Sequence, residues 1–394
     1  PEIHDTNRLL NVSKSVPPTA AIDAALDVLA AAKVPVIVAG NGVRISHASE
    51  TLAALADLLG APVVTSVLGK SAIAETHDMA AGPMGYTGLP LANEIVGMAD
   101  TILVVGCRLK PQDTCFEHPQ MFDPNRQRIV QIDIEPRNAS WTIPAEVALA
   151  GDADETLQLL LAGLEGRIDT PTASARRKAL TDLKAARKFF ADPMLASANV
   201  PIAPQRLVAE IHAAVPAEAV VCTDAGSNRH WMNHFFQTRR PNSYFGSGGL
   251  GGVSWSLPAT LCAKILDPAR PAIGICSDGG FAMQMHVLLT AAQYDANPVY
   301  VVMNNSRLGM TAEGMGNQSH GNDFPDTDYA GIARACGAWA ERVESPDDIA
   351  AAIHAGLAQD KPAVIDVIID KSESMRQAMY SPLAVEAARG IRPD

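Results

Sequence analysis

Short runs of continuous apolar residues alternate with amphipathic stretches along most of this chain. Pro17-Pro18-Thr19 opens a predicted helix that carries Ile22, Leu26 and Leu29 on one face. Pro35–Gly40 reads as a buried strand. A helix from Ser49 then turns Leu52, Leu55 and Leu59 inward, and Gly60 closes it. Pro62–Thr65, Thr101–Gly106 and Arg128–Asp133 continue the series. Strands without polar alternation are buried on both faces, and strands separated by helices make a parallel sheet. Residues 19–165 therefore read as one unit, with 1–18 as the remnant of a preceding domain and a linker. Residues 166–203 are rich in Ala, Arg and Lys and broken by Pro171 and Pro193, which predicts a helical linker across the surface, with Arg176-Arg177-Lys178 as a solvated face. A second unit at 204–372 has strands at Ala219–Thr223, Ala272–Cys276, Pro298–Met303 and Ala363–Ile369. Its Ser345-Pro346-Asp347-Asp348 start leads into a helix bearing Ile349, Ile353 and Leu357. Residues 373–394 form an irregular tail placed to fold over a site. The expected fold class is α/β, two doubly wound parallel-sheet domains joined by a helical linker.

Length and composition agree with two or three domains: 394 residues, 47% hydrophobic and 19% charged, fit a soluble protein with large cores. The net charge of −12, with no basic stripe, argues against a general nucleic-acid binder. No apolar run approaches about 18 residues, so no membrane span is expected. The 6 cysteines are scattered without a CxxC pair, as in reduced, mostly buried thiols of a cytoplasmic protein. The chain begins Pro-Glu-Ile and not with Met, which reads as a processed or truncated chain or one piece of something larger.

Candidate chemistry concentrates at Ser277-Asp278-Gly279-Gly280-Phe281 and Asn304-Asn305-Ser306-Arg307-Leu308-Gly309. Asp278 and Asn305 lie 27 positions apart. That is room for a turn, a helix at about Phe281–Asp295 and a return strand at Val299–Met303. Both side chains then emerge at the carboxyl edge of a parallel sheet, where open α/β folds bind ligands. A carboxylate and an amide oxygen suit a hard cation that also bridges a diphosphate, and the glycines allow close approach to phosphate. The plainer alternative makes Asp278 a helix cap and the Asn pair a turn. Gly246, Gly248 and Gly251 also spell GxGxxG. A dinucleotide reading needs an acid at a strand end about 20 residues on, and there the chain has the Pro-flanked turn Leu266-Asp267-Pro268, so that reading fails.

The Asp278…Asn305 spacing resembles the GDG…NN signature of thiamine-diphosphate (ThDP) enzymes. Gly246–Gly252 with Val253-Ser254-Trp255-Ser256-Leu257-Pro258-Ala259 is similar to the glycine-rich segment and following helix of that family. The resemblance implies that Asp278 and Asn305 bind Mg²⁺ by their side chains and Arg307 by its backbone oxygen. Asn228, Arg229, Gly251, Gly252, Gly279, Gly280 and Phe281 would contact the cofactor. Val253 matches the bulky aliphatic wedge that holds the cofactor bent; it is smaller than the usual residue, and an ordinary core valine is the alternative. Arg229 has the alternative of a surface arginine, and neither His230 nor His286 is assigned a role. Ser277 departs from the pattern by replacing the first Gly. Gly82–Gly88, Ala99–Leu109 and Gln131–Pro136 resemble the central domain of the acetolactate synthase, pyruvate oxidase and sulfoacetaldehyde acetyltransferase groups. Arg108 matches an Arg of relatives that bind FAD or ADP there; other relatives keep that domain empty, so FAD stays open.

The family's catalytic Glu sits on a pyrimidine-binding domain that precedes the central domain, and no stretch here is long enough to be one; Pro1-Glu2-Ile3 looks like the end of its last strand. The resemblance thus implies a cofactor-binding subunit or large fragment of a 2-oxo-acid decarboxylase or carboligase. A separate N-terminal chain would complete it in a hetero-oligomer built on dimers. The alternatives are a ThDP-dependent lyase or acyltransferase, and a degenerate regulatory subunit.

Overall fold

Two six-stranded sheets, parallel throughout, organise residues 13–388, the span that a computed structural model describes. The first contains β1 (Pro35–Ala39), β2 (Val63–Thr65), β3 (Ala80–Pro83), β4 (Thr101–Val105), β5 (Arg128–Asp133) and β6 (Val147–Ala150), in the order β3-β2-β1-β4-β5-β6. The second contains β7 (Val220–Thr223), β8 (Tyr244–Gly246), β9 (Ala272–Ser277), β10 (Val299–Asn304), β11 (Trp339–Val343) and β12 (Ala363–Ile368), in the order β11-β12-β10-β9-β7-β8. Each is doubly wound. The direction of winding reverses between β1 and β4 in the first sheet and between β7 and β9 in the second, which opens a crevice at each carboxyl edge.

Interior strands follow the expected apolar runs: β1, β4 and β10 are buried at every position. Edge strands β3, β6, β8 and β11 lie outside those runs. β6 alternates in burial, and β11 carries Glu341 and Arg342 on half-exposed backbone. Where one long helix was expected at Phe281–Asp295, two short helices occur, Asp278–Gln284 and Val287–Gln293, with the break at Met285-His286. The anticipated strand end at residues 1–3 lies outside the described residues.

The linker contains a helix, Thr170–Ala186, that crosses the first unit. Here the charge cluster departs from expectation. Arg176 donates to the main-chain oxygens of Leu59 and Ala32, and Arg177 reaches the Asp57 oxygen at 3.2 Å. Both supply donors to carbonyl oxygens at helix and loop ends, while Lys178 faces solvent, paired with Asp182.

The two units join through a buried polar clasp. Lys70 and Glu75 are both fully buried, 2.7 Å apart, on the segment after β2. The Glu75 carboxylate also accepts the Thr238 N–H at 2.7 Å from the second unit. The Lys70 ammonium lies 5.2 Å from the Phe190 ring centre and 5.5 Å from that of Tyr244. Ser71 donates to the Tyr244 carbonyl at 3.2 Å. A buried charge that loses its partner is far costlier than one that keeps it. Lys70→Met is therefore expected to destabilise the chain by about 3–5 kcal/mol in urea unfolding, and Lys70→Met with Glu75→Gln to recover part of that loss.

Candidate functional site

Four segments meet at the carboxyl edge of the second sheet, and hydrogen bonds tie them together. After β7, Asp224 is fully buried. Its Oδ1 accepts the Ala225 N–H and its Oδ2 the Ser254 N–H, each at 2.8 Å. Ser254, in the loop after β8, donates its hydroxyl at 2.7 Å to the carbonyl of Gly280, in the first turn of the helix that follows β9 directly. A Cβ on Gly280 would stand 2.3 Å from Asp224 Oδ2, so no larger residue fits there without moving the carboxylate. Ser277, the departure from the expected Gly, accepts the Gly280 N–H at 3.1 Å and caps the helix at Asp278–Gln284.

Asp278 is held by three main-chain N–H groups. It is fully buried. Oδ1 accepts the Gly279 N–H at 2.7 Å, and Oδ2 accepts those of Asn305 at 3.2 Å and Arg307 at 3.0 Å. Among the described residues no basic side chain pairs with it. Burial pushes its carboxyl up to about 6, against the pull of these N–H groups. The Asn305 amide makes no side-chain hydrogen bond among the described residues. Arg307 turns its guanidinium to Asp323 at 2.6 Å, and its carbonyl accepts the Gly309 N–H at 2.9 Å. A Cβ on Gly309 would lie 3.3 Å from both Asn305 Nδ2 and Ser227 Oγ, so the loop after β10 touches the start of the helix at Ser227–Phe235.

Two of the unsatisfied polar atoms on that helix lie in its first turn. Asn228 is buried and donates to the Ala225 carbonyl, yet its Oδ1 has no partner. Arg229 donates to Ser247 O at 2.9 Å, yet its Nε has none. Above them, Gly249, Gly251 and Gly252 have no atom within 4 Å of an added Cβ. Gly249 and Gly251 adopt positive φ, 61° and 66°, as a loop that curls around open space requires. Val253 lines the same space, 44% exposed, so it is no core valine. Arg229 lines it too and is not a surface arginine. The Phe281 ring is fully buried and packs edge-on against Tyr329 at 5.8 Å, which leaves its main chain for a ligand. His286 is exposed beyond the site.

A cleft of about 920 Å³ runs from this edge to the carboxyl edge of the first sheet. Gly42, Gly106 and Asp133 line one end, and Ser227, Gly251 and Arg307 the other. Both crevices thus open into one space. Arg108 lines it with its guanidinium 5.5 Å from the Trp141 ring centre. His230 lines it as well, its Nδ1 2.9 Å from Thr87 Oγ1 of the first unit. Burial pushes the His230 imidazole down to about 3 and that of His234 down to about 4, which keeps both rings neutral near pH 7.

Profiles of two consecutive domains match nearly three quarters of the chain. "Thiamine pyrophosphate enzyme, central domain" matches residues 22–160, and "Thiamine pyrophosphate enzyme, C-terminal TPP binding domain" matches residues 224–367. The chain belongs to the thiamine-diphosphate-dependent enzymes. A probable acetolactate synthase large subunit of Methanocaldococcus jannaschii is 32% identical over 367 residues, covering 90% of this chain and 60% of that protein. A sulfoacetaldehyde acetyltransferase of Castellaniella defragrans is 29% identical over 372 residues, covering 88% and 62%. A probable 2-ketoarginine decarboxylase of Pseudomonas aeruginosa is 32% identical over 362 residues, covering 90% and 61%. The chain spans about three fifths of the length of these relatives.

The site's own chemistry suits the family's cofactor: the orphaned Asn228 and Arg229 atoms lie beside a glycine loop open to the cleft. Sequence reading passed over Asp224 and Ser254, which hold three of the four segments together. The available signal was an acid at a strand end directly before Ala-Gly, a position that favours a carboxylate accepting main-chain N–H groups. Thr87 carried no signal, since only the docking of the two units brings it to His230. Gly280→Ala is expected to push Asp224 off the Ser254 N–H, costing about 1–3 kcal/mol in urea unfolding and weakening ThDP binding at least about tenfold by calorimetry.

Proposed function

We propose that this chain is the cofactor-binding part of a ThDP-dependent enzyme that decarboxylates a 2-oxo acid and passes the acyl equivalent to an acceptor, as in acetolactate synthase. The observation that carries this reading is Asp278: a buried carboxylate, unpaired with any basic side chain among the described residues, held by the main-chain N–H groups of Gly279, Asn305 and Arg307. Such a carboxylate fits a hard divalent cation, Mg²⁺, next to a diphosphate. ThDP, when bound, supplies the nucleophilic carbon and the electron sink for loss of CO₂. The chain's part is to bind, orient and exclude water. Asp278, Asn305 and the Arg307 carbonyl would hold the cation. Asn228, Arg229 and the main chain of Gly251, Gly252, Gly279, Gly280 and Phe281 would hold the diphosphate, and Val253 would support the bend of the cofactor.

The catalytic Glu belongs to a pyrimidine-binding domain supplied from outside these residues. The assembly is then a hetero-oligomer built on dimers, working in the cytoplasm on a small 2-oxo acid. An acyltransferase of the sulfoacetaldehyde type is the second reading, favoured by the similarity over 88% of the chain to such an enzyme. A degenerate regulatory subunit is disfavoured by the intact Asp278 and Asn305.

Calorimetric titration with ThDP, with and without Mg²⁺, tests the reading. Affinity is expected to fall at least about tenfold without the cation, and Asp278→Ala to abolish that difference. Equal affinity with and without Mg²⁺ in the unmodified chain contradicts the metal assignment. Release of CO₂ from a 2-oxo acid is expected only when a pyrimidine-binding domain is added. The pH dependence has a definite sign. The Asp278 carboxyl is raised in the folded chain, so without cation its burial disfavours the folded state increasingly as pH climbs from the usual carboxylate range to about 6, and evenly above. The thermal shift produced by Mg²⁺ with ThDP is accordingly expected to be small below about pH 6 and larger above it.

A further inference from the structure

An acid in the interior of the second sheet has a geometry that reaches the loop after β10. Asp366 lies on β12, between β10 and β11, and is fully buried. Burying a carboxylate there is costly unless its oxygens are satisfied. Both are: Oδ1 accepts the Asn304 side-chain N–H at 2.9 Å, and Oδ2 accepts the Tyr329 main-chain N–H at 3.2 Å. Asn304, the last residue of β10 and 1% exposed, is thereby fixed in orientation. Its Oδ1 accepts the Ser306 N–H at 3.1 Å.

Ser306 is a non-glycine residue at φ 52°, a left-handed conformation that must be held in place. Held so, the chain turns back and presents the N–H groups of Asn305 and Arg307 to the same oxygen of Asp278. Arg342 is the register partner of Asp366 on β11, and its guanidinium goes to Asp326 and Glu344. The second carboxylate oxygen is thus left to main-chain N–H, and the first to Asn304.

We infer that Asp366 and Asn304 are a positioning pair that sets the Asn305–Arg307 turn for the divalent cation. The inference rests on the reading of Asp278 and Asn305 as cation ligands. Asp366 acts through Asn304, which it orients and which in turn holds the Ser306 N–H. An acid is required at 366 because both of its neighbours, the Asn304 amide and the Tyr329 N–H, are donors. An amide there satisfies one of them and sets its own NH₂ against the other. With the two residues exchanged, the polarity of the side-chain bond reverses: Asn at 366 donates to Asp at 304 and still accepts from Tyr329, while Asp at 304 still accepts from Ser306.

The test is Mn²⁺ binding to the full chain at saturating ThDP, read by electron paramagnetic resonance of free Mn²⁺, with thermal melting and ThDP affinity at saturating Mn²⁺ recorded alongside. Asp366→Asn and Asn304→Asp are each expected to weaken Mn²⁺ at least about tenfold in folded protein, with ThDP affinity at saturating Mn²⁺ little changed. The double variant Asn304→Asp with Asp366→Asn is expected to return Mn²⁺ affinity to within about threefold of the original. Should the single variants fail to fold, a folded double variant with that affinity still supports the pair. Single variants that bind Mn²⁺ normally, or a double variant that is folded but as weak as the singles, overturn the inference while loss of Mn²⁺ in Asp278→Ala leaves the metal site standing. Normal Mn²⁺ binding by Asp278→Ala removes the metal site itself.

Discussion

A carboxylate held out of water by main-chain N–H groups alone is the constraint around which the second half of this protein is built. Asp278 has no neutralising side chain among the described residues, and three N–H bonds leave its carboxyl still pushed up to about 6. Burial without a counter-charge is costly, and Asp224 and Asp366 are likewise satisfied by N–H donors alone. What sets Asp278 apart is its place at the crevice, where a proposed cation would offset that cost. The segments after β7, β8, β9 and β10 all refer to this point, directly or through Asp224, Ser254 and Gly280.

The fold places that point at the crevice where the second sheet reverses its winding. It also brings the matching crevice of the first sheet to the other end of the same cleft. Neither unit supplies the whole surface. The buried Lys70–Glu75 pair, the Thr238 N–H and the Ser71–Tyr244 contact hold one unit against the other. Thr87 of the first unit then fixes the ring of His230 on the second. Directional buried polar contacts of this kind specify one arrangement more sharply than apolar contact does.

Much of the architecture was legible because interior strands of a parallel sheet must be apolar on both faces. β1, β2, β4, β7, β9 and β10 stand out as mainly apolar runs, and β5 and β12 do so despite Gln131 and Asp366 within them. The edge strands β3, β6, β8 and β11 did not stand out. Ala-Ala-Gly-Pro and Tyr-Phe-Gly are too short and glycine-bearing, and the Glu341-Arg342 backbone is half-exposed, as edge positions allow. At the site, Asp278, Asn305 and the glycine loop were readable because their spacing encodes strand-turn-helix-strand. Asp224, Asp366 and Thr87 were not. Their partners lie 30, 62 and 143 positions away, and sequence spacing carries nothing about contacts made only when sheets and units close. Arg176 and Arg177 misled for the same reason, since a basic run looks solvated until the carbonyl ends it caps are in view.

The central claim is that a divalent cation and a diphosphate meet between Asp278, Asn305 and the glycine-rich loop. Anomalous diffraction from crystals of the chain grown with Mn²⁺ and ThDP addresses it most directly. The account predicts a single strong peak at about 2.0–2.2 Å from oxygens of Asp278 and Asn305, with diphosphate density on its far side. A diphosphate bound with no metal at Asp278, or a metal peak elsewhere in the cleft, would contradict it.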